Sequence, residues 1–260
     1  MTPSADVQFG RTAEDYRKHR AGFPDAFFDR IADYGVGGSG QALVDLGTGT
    51  GTLARGFALR GLKVTGLDPS QDMLDQARAL DAEAGIKIDY VCESAEATGL
   101  ASATFDAVTA GQCWHWFDRP RAAAEAHRLL RPGGRLAIAH FDWLPLPGNI
   151  VEATEALILE YNPDWGWSGS TGIYRDWMTD LAVAGFEGLE SFSFDVEVPY
   201  GHEAWRGRIR ASAGVGASLP EDKVADFDNA HAAMLAAGFP DDPLNVPHRV
   251  FAAIGRISKG

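Results

Sequence analysis

The stretch Leu43-Val44-Asp45-Leu46-Gly47-Thr48-Gly49-Thr50-Gly51 decides the fold of this chain. An apolar run broken by one acid leads into three glycines at alternate positions. Thr52-Leu53-Ala54-Arg55-Gly56-Phe57-Ala58 follows, so the whole reads as a buried strand, a tight turn and the opening of a helix. Glycine is required where the backbone takes positive φ or where a ligand approaches it closely. The unpaired N–H groups of the first helical turn point into the same space. The turn is therefore a ligand cradle, with donors on one side and the Asp45 carboxylate on the other.

The spacing of the glycines narrows the ligand. A dinucleotide fingerprint is G-x-G-x-x-G, which places pyrophosphate at a helix N-terminus. Counted from Gly47, the third glycine of that fingerprint falls on Thr52, and the chain has G-x-G-x-G instead. A carboxylate at Asp45 repels pyrophosphate and suits a ligand that carries an ammonium group.

Working outward, residues 63–68 form a second strand ending in Asp68, where an acid can accept both hydroxyls of a ribose; the alternative is that Asp68 caps the next turn. Pro69 follows, and Met73 opens the next helix at a place suited to packing on an adenine. A third strand covers residues 87–91, a fourth 104–110 and a fifth 135–140, with Pro132-Gly133-Gly134 as a tight turn before the last. Strands alternate with helices, the pattern of a parallel sheet covered on both faces. Gly111-Gln112-Cys113-Trp114-His115-Trp116 leaves the carboxyl end of the fourth strand, where open α/β sheets hold their ligands. Trp114 and Trp116 can wall an apolar pocket with the His115 imidazole beside it. Equally, the indoles can be core and His115 can satisfy a backbone carbonyl.

Beyond residue 144 the expected order is a helix at 151–161, an aromatic loop at 162–169 and a helix at 177–184. A strand at 190–199, helices at 202–213 and 220–237, and a last strand at 249–257 follow. The final two strands are expected as an antiparallel edge pair.

Composition sets the broad class. The 260 residues carry a net charge of −13, from 23 basic and 36 acidic side chains, which argues against a nucleic-acid backbone as partner. The partner expected is a small molecule. Arginines 206, 208 and 210 could still form a basic patch, against the plainer reading of a solvated helix face. The first twenty residues contain no apolar leader, and no stretch is apolar enough to span a bilayer, so a cytoplasmic protein, monomer or homodimer, is expected. Cys92 and Cys113 read as packing residues, and no metal-ligand set is visible.

Four ordered motifs carry a family resemblance. They are Val44 to Gly51, then Gly66-Leu67-Asp68-Pro69-Ser70, then Phe105-Asp106-Ala107-Val108, then Leu130-Arg131-Pro132-Gly133-Gly134-Arg135-Leu136. Over about residues 40 to 142 the chain resembles the class I S-adenosylmethionine-dependent methyltransferases, of the type 11 domain. Gly111 to Asp118 resembles the subgroup that includes trans-aconitate methyltransferase-like proteins.

The resemblance implies a Rossmann-like, seven-stranded, mostly parallel sheet with helices on both faces. It would sit in residues 41–260, after a helical N-terminal cap at 1–40, with helical insertions at about 144–185 and 200–240 roofing the substrate. It implies S-adenosyl-L-methionine as cofactor, S-adenosyl-L-homocysteine as product and a small organic acceptor. Cofactor contacts are expected from Asp45, Gly47, Thr48, Gly49, Gly51, Asp68, Pro69, Met73, Gly111 and Gln112. The family often places an acid on the adenine edge at the position of Ser94, and that departure shifts the expectation to Ala95 and Glu96. His115 and Tyr16 are the catalytic candidates. Tyr16, Arg20, Trp114, Trp116 and Trp143 are the acceptor-binding candidates, and residues 11 to 20 are read as a lid, against the alternative of an ordinary packing helix. Two other functions remain open on sequence: a non-catalytic nucleoside-binding protein, and a nicotinamide oxidoreductase disfavoured by the glycine spacing.

Overall fold

Strand β1 (Ala42–Leu46) buries Leu43, Val44, Asp45 and Leu46 in succession, the signature of a strand covered on both faces. β2 (Lys63–Leu67) lies parallel on one side, with Asp45 opposite Gly66, and β4 (Phe105–Gly111) lies parallel on the other, with Val44 opposite Val108. β3 (Asp89–Val91) extends the sheet beyond β2, and β5 (Leu130–Trp143) extends it beyond β4. With β6 (Glu187–Tyr200) and β7 (Leu244–Arg256), the seven strands run in the order β3-β2-β1-β4-β5-β7-β6. The chain winds outward from β1 to β3 and then crosses back to place β4 against β1. That reversal opens a crevice at the carboxyl ends of β1 and β4, the general ligand position in open α/β sheets.

The computed structural model describes residues 22–259. Tyr16 and Arg20, with the whole lid segment at 11–20, lie outside the described residues.

Two compact units make up the chain. The first contains Gly22–Phe141, Tyr174–Ser193 and the chain from Val250 onward. Helix α1 (Asp25–Asp33) buries Phe27, Phe28 and Ile31 here. Helix α2 (Thr52–Ala58) buries Leu53, Ala54 and Phe57 at the usual three- and four-residue spacing. Helix α3 (Gln71–Glu83) is started by Ser70, whose hydroxyl accepts the Met73 N–H at 3.4 Å. Helix α4 (Arg119–Leu129) is started by Asp118 with Pro120 in its first turn.

The fifth strand begins earlier than the turn signal suggested. Pro132-Gly133-Gly134 falls inside β5, and the register slips between Phe105 opposite Leu130 and Ala107 opposite Arg135. The residues looped out at this irregularity are tied down on both sides. The Gly133 N–H donates to the Ser258 carbonyl at 3.1 Å, and Arg131 pairs with Asp106 at 2.7 Å. A turn-prone sequence is thereby held as a wide bulge in a strand.

The second unit contains Asp142–Ile173 and Phe194–Arg249. Its core joins Trp143, Trp165, Tyr200, Trp205 and Phe227 to Val151 and Ile158. These come partly from α5 (Ile150–Tyr161), α7 (His202–Arg210) and α8 (Glu221–Gly238); helix α6 (Arg175–Val183) belongs to the first unit. Among the described residues no helix is long and apolar enough to cross a membrane.

Candidate functional site

The cradle is built from β1, its glycine turn and the end of β2. Gly47, Gly49 and Gly51 have φ of 62°, 55° and 76°, all in the left-handed region. At Gly51 the need for glycine is twofold, since a Cβ there would also stand 2.5 Å from the Tyr90 hydroxyl. The turn is closed by the Gly51 N–H on the Thr48 carbonyl at 2.9 Å. It is joined to β2 by the Thr48 N–H on the Leu67 carbonyl at 2.8 Å.

Asp68 completes the cradle. One of its carboxylate oxygens accepts the Gly49 N–H and the other the Ser70 N–H, each at 2.9 Å. Burial pushes its carboxyl above the ordinary range, opposed by those two bonds. Each oxygen of a carboxylate offers about two lone-pair sites. One bond to each oxygen leaves capacity for further donors, which fits the two hydroxyls of a ribose. Asp68 also stands in the turn-capping position that is the plainer alternative, through its bond from the Ser70 N–H.

Asp45 is buried, and its two oxygens accept the hydroxyls of Thr48 and Thr109, both at 2.7 Å. Burial raises its carboxyl to about 6, against the lowering effect of the two hydroxyls. Thr109, on β4, was invisible as a partner in the sequence because it lies 64 residues away and meets Asp45 only through the β1–β4 register.

A second layer supports the turn from beneath. Arg55 donates to Asp81 at 2.8 Å and to the Thr50 carbonyl at 2.9 Å, while the Tyr90 hydroxyl donates to Asp81 at 2.8 Å. Burial, then the bond to Asp81, pushes the Tyr90 phenol well above its ordinary range and keeps it a donor. Met73 is buried with its methyl 3.4 Å from where a Cβ on Gly49 would sit, so it closes one wall of the cradle.

Ala95 is buried, and the Glu96 carboxylate accepts the Asp118 N–H at 2.9 Å, which links the loop after β3 to the start of α4. Gly111 ends β4, and Gln112 takes a φ of 62°, an unusual conformation for a residue with a side chain. Its N–H donates to the Ala139 carbonyl at 2.8 Å. Strained backbone of this kind is concentrated at functional turns. Cys113 is buried with its thiol on the Leu46 carbonyl at 3.1 Å, and the described residues contain no cluster able to hold a metal ion.

The aromatic turn divides into core and surface. Trp114 is fully buried and its indole N–H donates to Asp180 at 3.0 Å, the placement of a packing residue. His115 and Trp116 are half-buried, their rings 4.9 Å apart. The His115 ring lies 5.5 Å from that of His140, which in turn lies 4.7 Å from Tyr174. Neither His140 nor Tyr174 stood out on sequence, although His140 closes the predicted fifth strand at its ligand-bearing end. Trp143 belongs to the second unit, where its indole donates to the buried Glu155 at 2.8 Å.

Known proteins are similar to this chain in sequence and fold. A model of a methyltransferase domain matches residues 44–138. An uncharacterised methyltransferase of Mycobacterium bovis is 35% identical over 132 residues, covering 51% of each chain. Residues 44–138 are therefore a methyltransferase domain. A ubiquinone biosynthesis O-methyltransferase of Xanthomonas axonopodis is 28% identical over 179 residues, 67% of this chain and 72% of that one. The solved structure of a type II methyltransferase from Anaeromyxobacter dehalogenans superposes with a TM-score of 0.65 at 25% identity, over 93% of this chain and 99% of the other. The match to the first of these relatives spans about half of its length. The segment matched by the domain model begins on β1 and ends on β5, so it contains the cradle and the aromatic turn and none of the second unit.

Proposed function

We propose that the chain binds S-adenosylmethionine in the β1–β2 cradle and transfers its methyl group to a small organic acceptor. The observation that carries this reading is the Asp68 carboxylate, fixed by the Gly49 and Ser70 N–H groups with acceptor capacity to spare. Asp68 takes the ribose hydroxyls, and the glycine turn lets the backbone come close to the amino-acid end of the donor. The Met73 side chain covers an adenine face.

A bound sulfonium supplies an activated methyl group, which leaves with its bonding pair on sulfur as the acceptor bonds the carbon. The protein's part is alignment of the acceptor behind that carbon, and removal of a proton where the acceptor carries one. In this reading His115, half-buried on the turn after β4, would receive it. Trp116 beside it supplies an aromatic face, which stabilises a nearby cation by up to about 2 kcal/mol when desolvated. The strong acidic balance supports a small-molecule acceptor over a nucleic acid.

Native mass spectrometry of the purified protein tests the reading. Retained adenosylmethionine or adenosylhomocysteine is expected, and a retained nicotinamide cofactor would overturn it. Methyl transfer from labelled donor across a panel of phenols, amines and carboxylic acids then separates an enzyme from a binder.

A further inference from the structure

The sheet has a second opening at the amino ends of β1 and β4, on the edge away from the glycine turn. A cleft of about 360 Å³ lies there, between the loop that enters β1 and the bulge of β5. Gly35, Gly40 and Gln41 line one side and Arg131 to Arg135 the other, with Asp106 at the start of β4. All of these residues belong to the first unit. The volume falls within the range usual for small-molecule sites.

Both walls are held in shape by the chain itself. The Gln41 side chain accepts the N–H groups of Gly37 and Gly38 at 2.9 Å each and donates to the Gly35 carbonyl at 3.1 Å, which fixes the loop. Asp106 accepts the Ala42 N–H at 2.8 Å on one oxygen and Arg131 at 2.7 Å on the other. The bulge is tied to residues 257 and 258, since the Ile257 N–H donates to the Gly134 carbonyl and the Gly133 N–H to the Ser258 carbonyl.

The charges in the cleft do not cancel. Against the burial that would raise it, the Ala42 N–H and Arg131 hold the Asp106 carboxyl below its ordinary range, so it stays ionised and offsets one cation. Arg135 is half-buried and lies against Gly35, where a Cβ would collide with its guanidinium. Among the described residues its guanidinium has no hydrogen-bond or ion-pair partner. Lys259 crosses the bulge, its stem 3.2 Å from where a Cβ on Gly133 would sit. Three basic side chains thus gather around one carboxylate, on a chain whose net charge is −13. The surplus suits a dianion better than a single carboxylate, and the guanidinium fork matches phosphate oxygens. Pro132 is the only apolar side chain in the lining and no ring faces it, so nothing there stacks a base or buries an acyl chain.

We propose that this cleft is a second ligand site, separate from the glycine cradle, and that it binds a phosphate group, free or as the ester of a small polar molecule. Arg135 and Arg131 hold the phosphate oxygens and Lys259 adds charge at the rim. The site does not depend on the transferase reading.

Calorimetric titration of the full chain with inorganic phosphate, β-glycerophosphate and glycerol at constant ionic strength tests it, with amide NMR to locate the bound probe. Both phosphate probes should bind saturably and glycerol should not. Tighter binding of β-glycerophosphate supports an ester as the ligand, and tighter binding of inorganic phosphate supports the free ion. The amide signals of Gly35 and Gly133 should move while those of Gly49 and Gly51 stay in place. Arg135→Gln should weaken phosphate binding by about tenfold or more. Arg135→Lys, which keeps the charge and loses the fork, should weaken it by about threefold or more and serves if the glutamine variant does not fold. No saturable binding of either phosphate probe, shifts confined to the glycine turn, or undiminished affinity in a folded Arg135 variant would overturn the proposal.

Discussion

The Asp68 carboxylate accepts the backbone N–H of Gly49 at 2.9 Å and so ties the end of β2 to the glycine turn after β1. In the proposed binding mode, the residue that would receive the ribose also fixes the shape of the turn that would receive the rest of the donor. Asp68→Ala removes both, and charge-assisted bonds contribute about 1.5 to 3 kcal/mol each. Adenosylhomocysteine affinity should fall at least about tenfold. Competition binding against a fluorescent adenosine analogue would reveal it, and an unchanged affinity would remove Asp68 from the site.

Gly51 has no room for a side chain. Gly51→Ala should destabilise the fold by about 1 to 3 kcal/mol from its left-handed backbone alone, with a further cost from the Tyr90 hydroxyl. Adding Tyr90→Phe should recover the steric part and leave the backbone part. A double-mutant cycle in urea should therefore show favourable coupling between the two changes. Strict additivity would show that Tyr90 does not limit the turn.

The cradle was legible because its signals are local. Positive φ at alternate residues, a buried run before them and an acid at the end of the next strand all follow from a short window of sequence. What escaped was whatever depends on register or distant packing. Thr109 reaches Asp45 only through strand pairing, and Trp114 is core because Asp180, far along the chain, accepts its indole N–H. Pro132-Gly133-Gly134 reads as a turn, yet tertiary bonds hold it in a strand. The pairing of Arg206 and Arg210 with Asp228 could not be read from composition, since Asp228 stands on another helix.

Asp45 gives a pH signature. Its carboxyl, at about 6 in the folded chain against 3.8 as a free side chain, binds more protons folded than unfolded between those values. Its ionisation therefore lowers stability as pH rises from about 4 to 6, by on the order of 3 kcal/mol in total. Asp45→Asn removes the titration while the threonine hydroxyls can reorient to the amide. Relative to wild type, the variant should gain stability across that window when urea unfolding is followed at several pH values. A pH-independent difference would show that Asp45 titrates normally.

For His115, two roles predict different kinetics. If the imidazole takes the proton, His115→Gln should lower turnover by about a hundredfold or more with adenosylhomocysteine affinity nearly intact. If it only shapes the pocket, the Michaelis constant should rise and turnover should hold. Wild-type kinetics in the variant would exclude both roles.

Calorimetric titration of the wild-type chain with adenosylhomocysteine, set against the same titration with NAD, tests the cofactor assignment most directly. The cradle predicts saturable one-to-one binding of adenosylhomocysteine and no binding heat from NAD. Saturable binding of NAD with none of adenosylhomocysteine would contradict it.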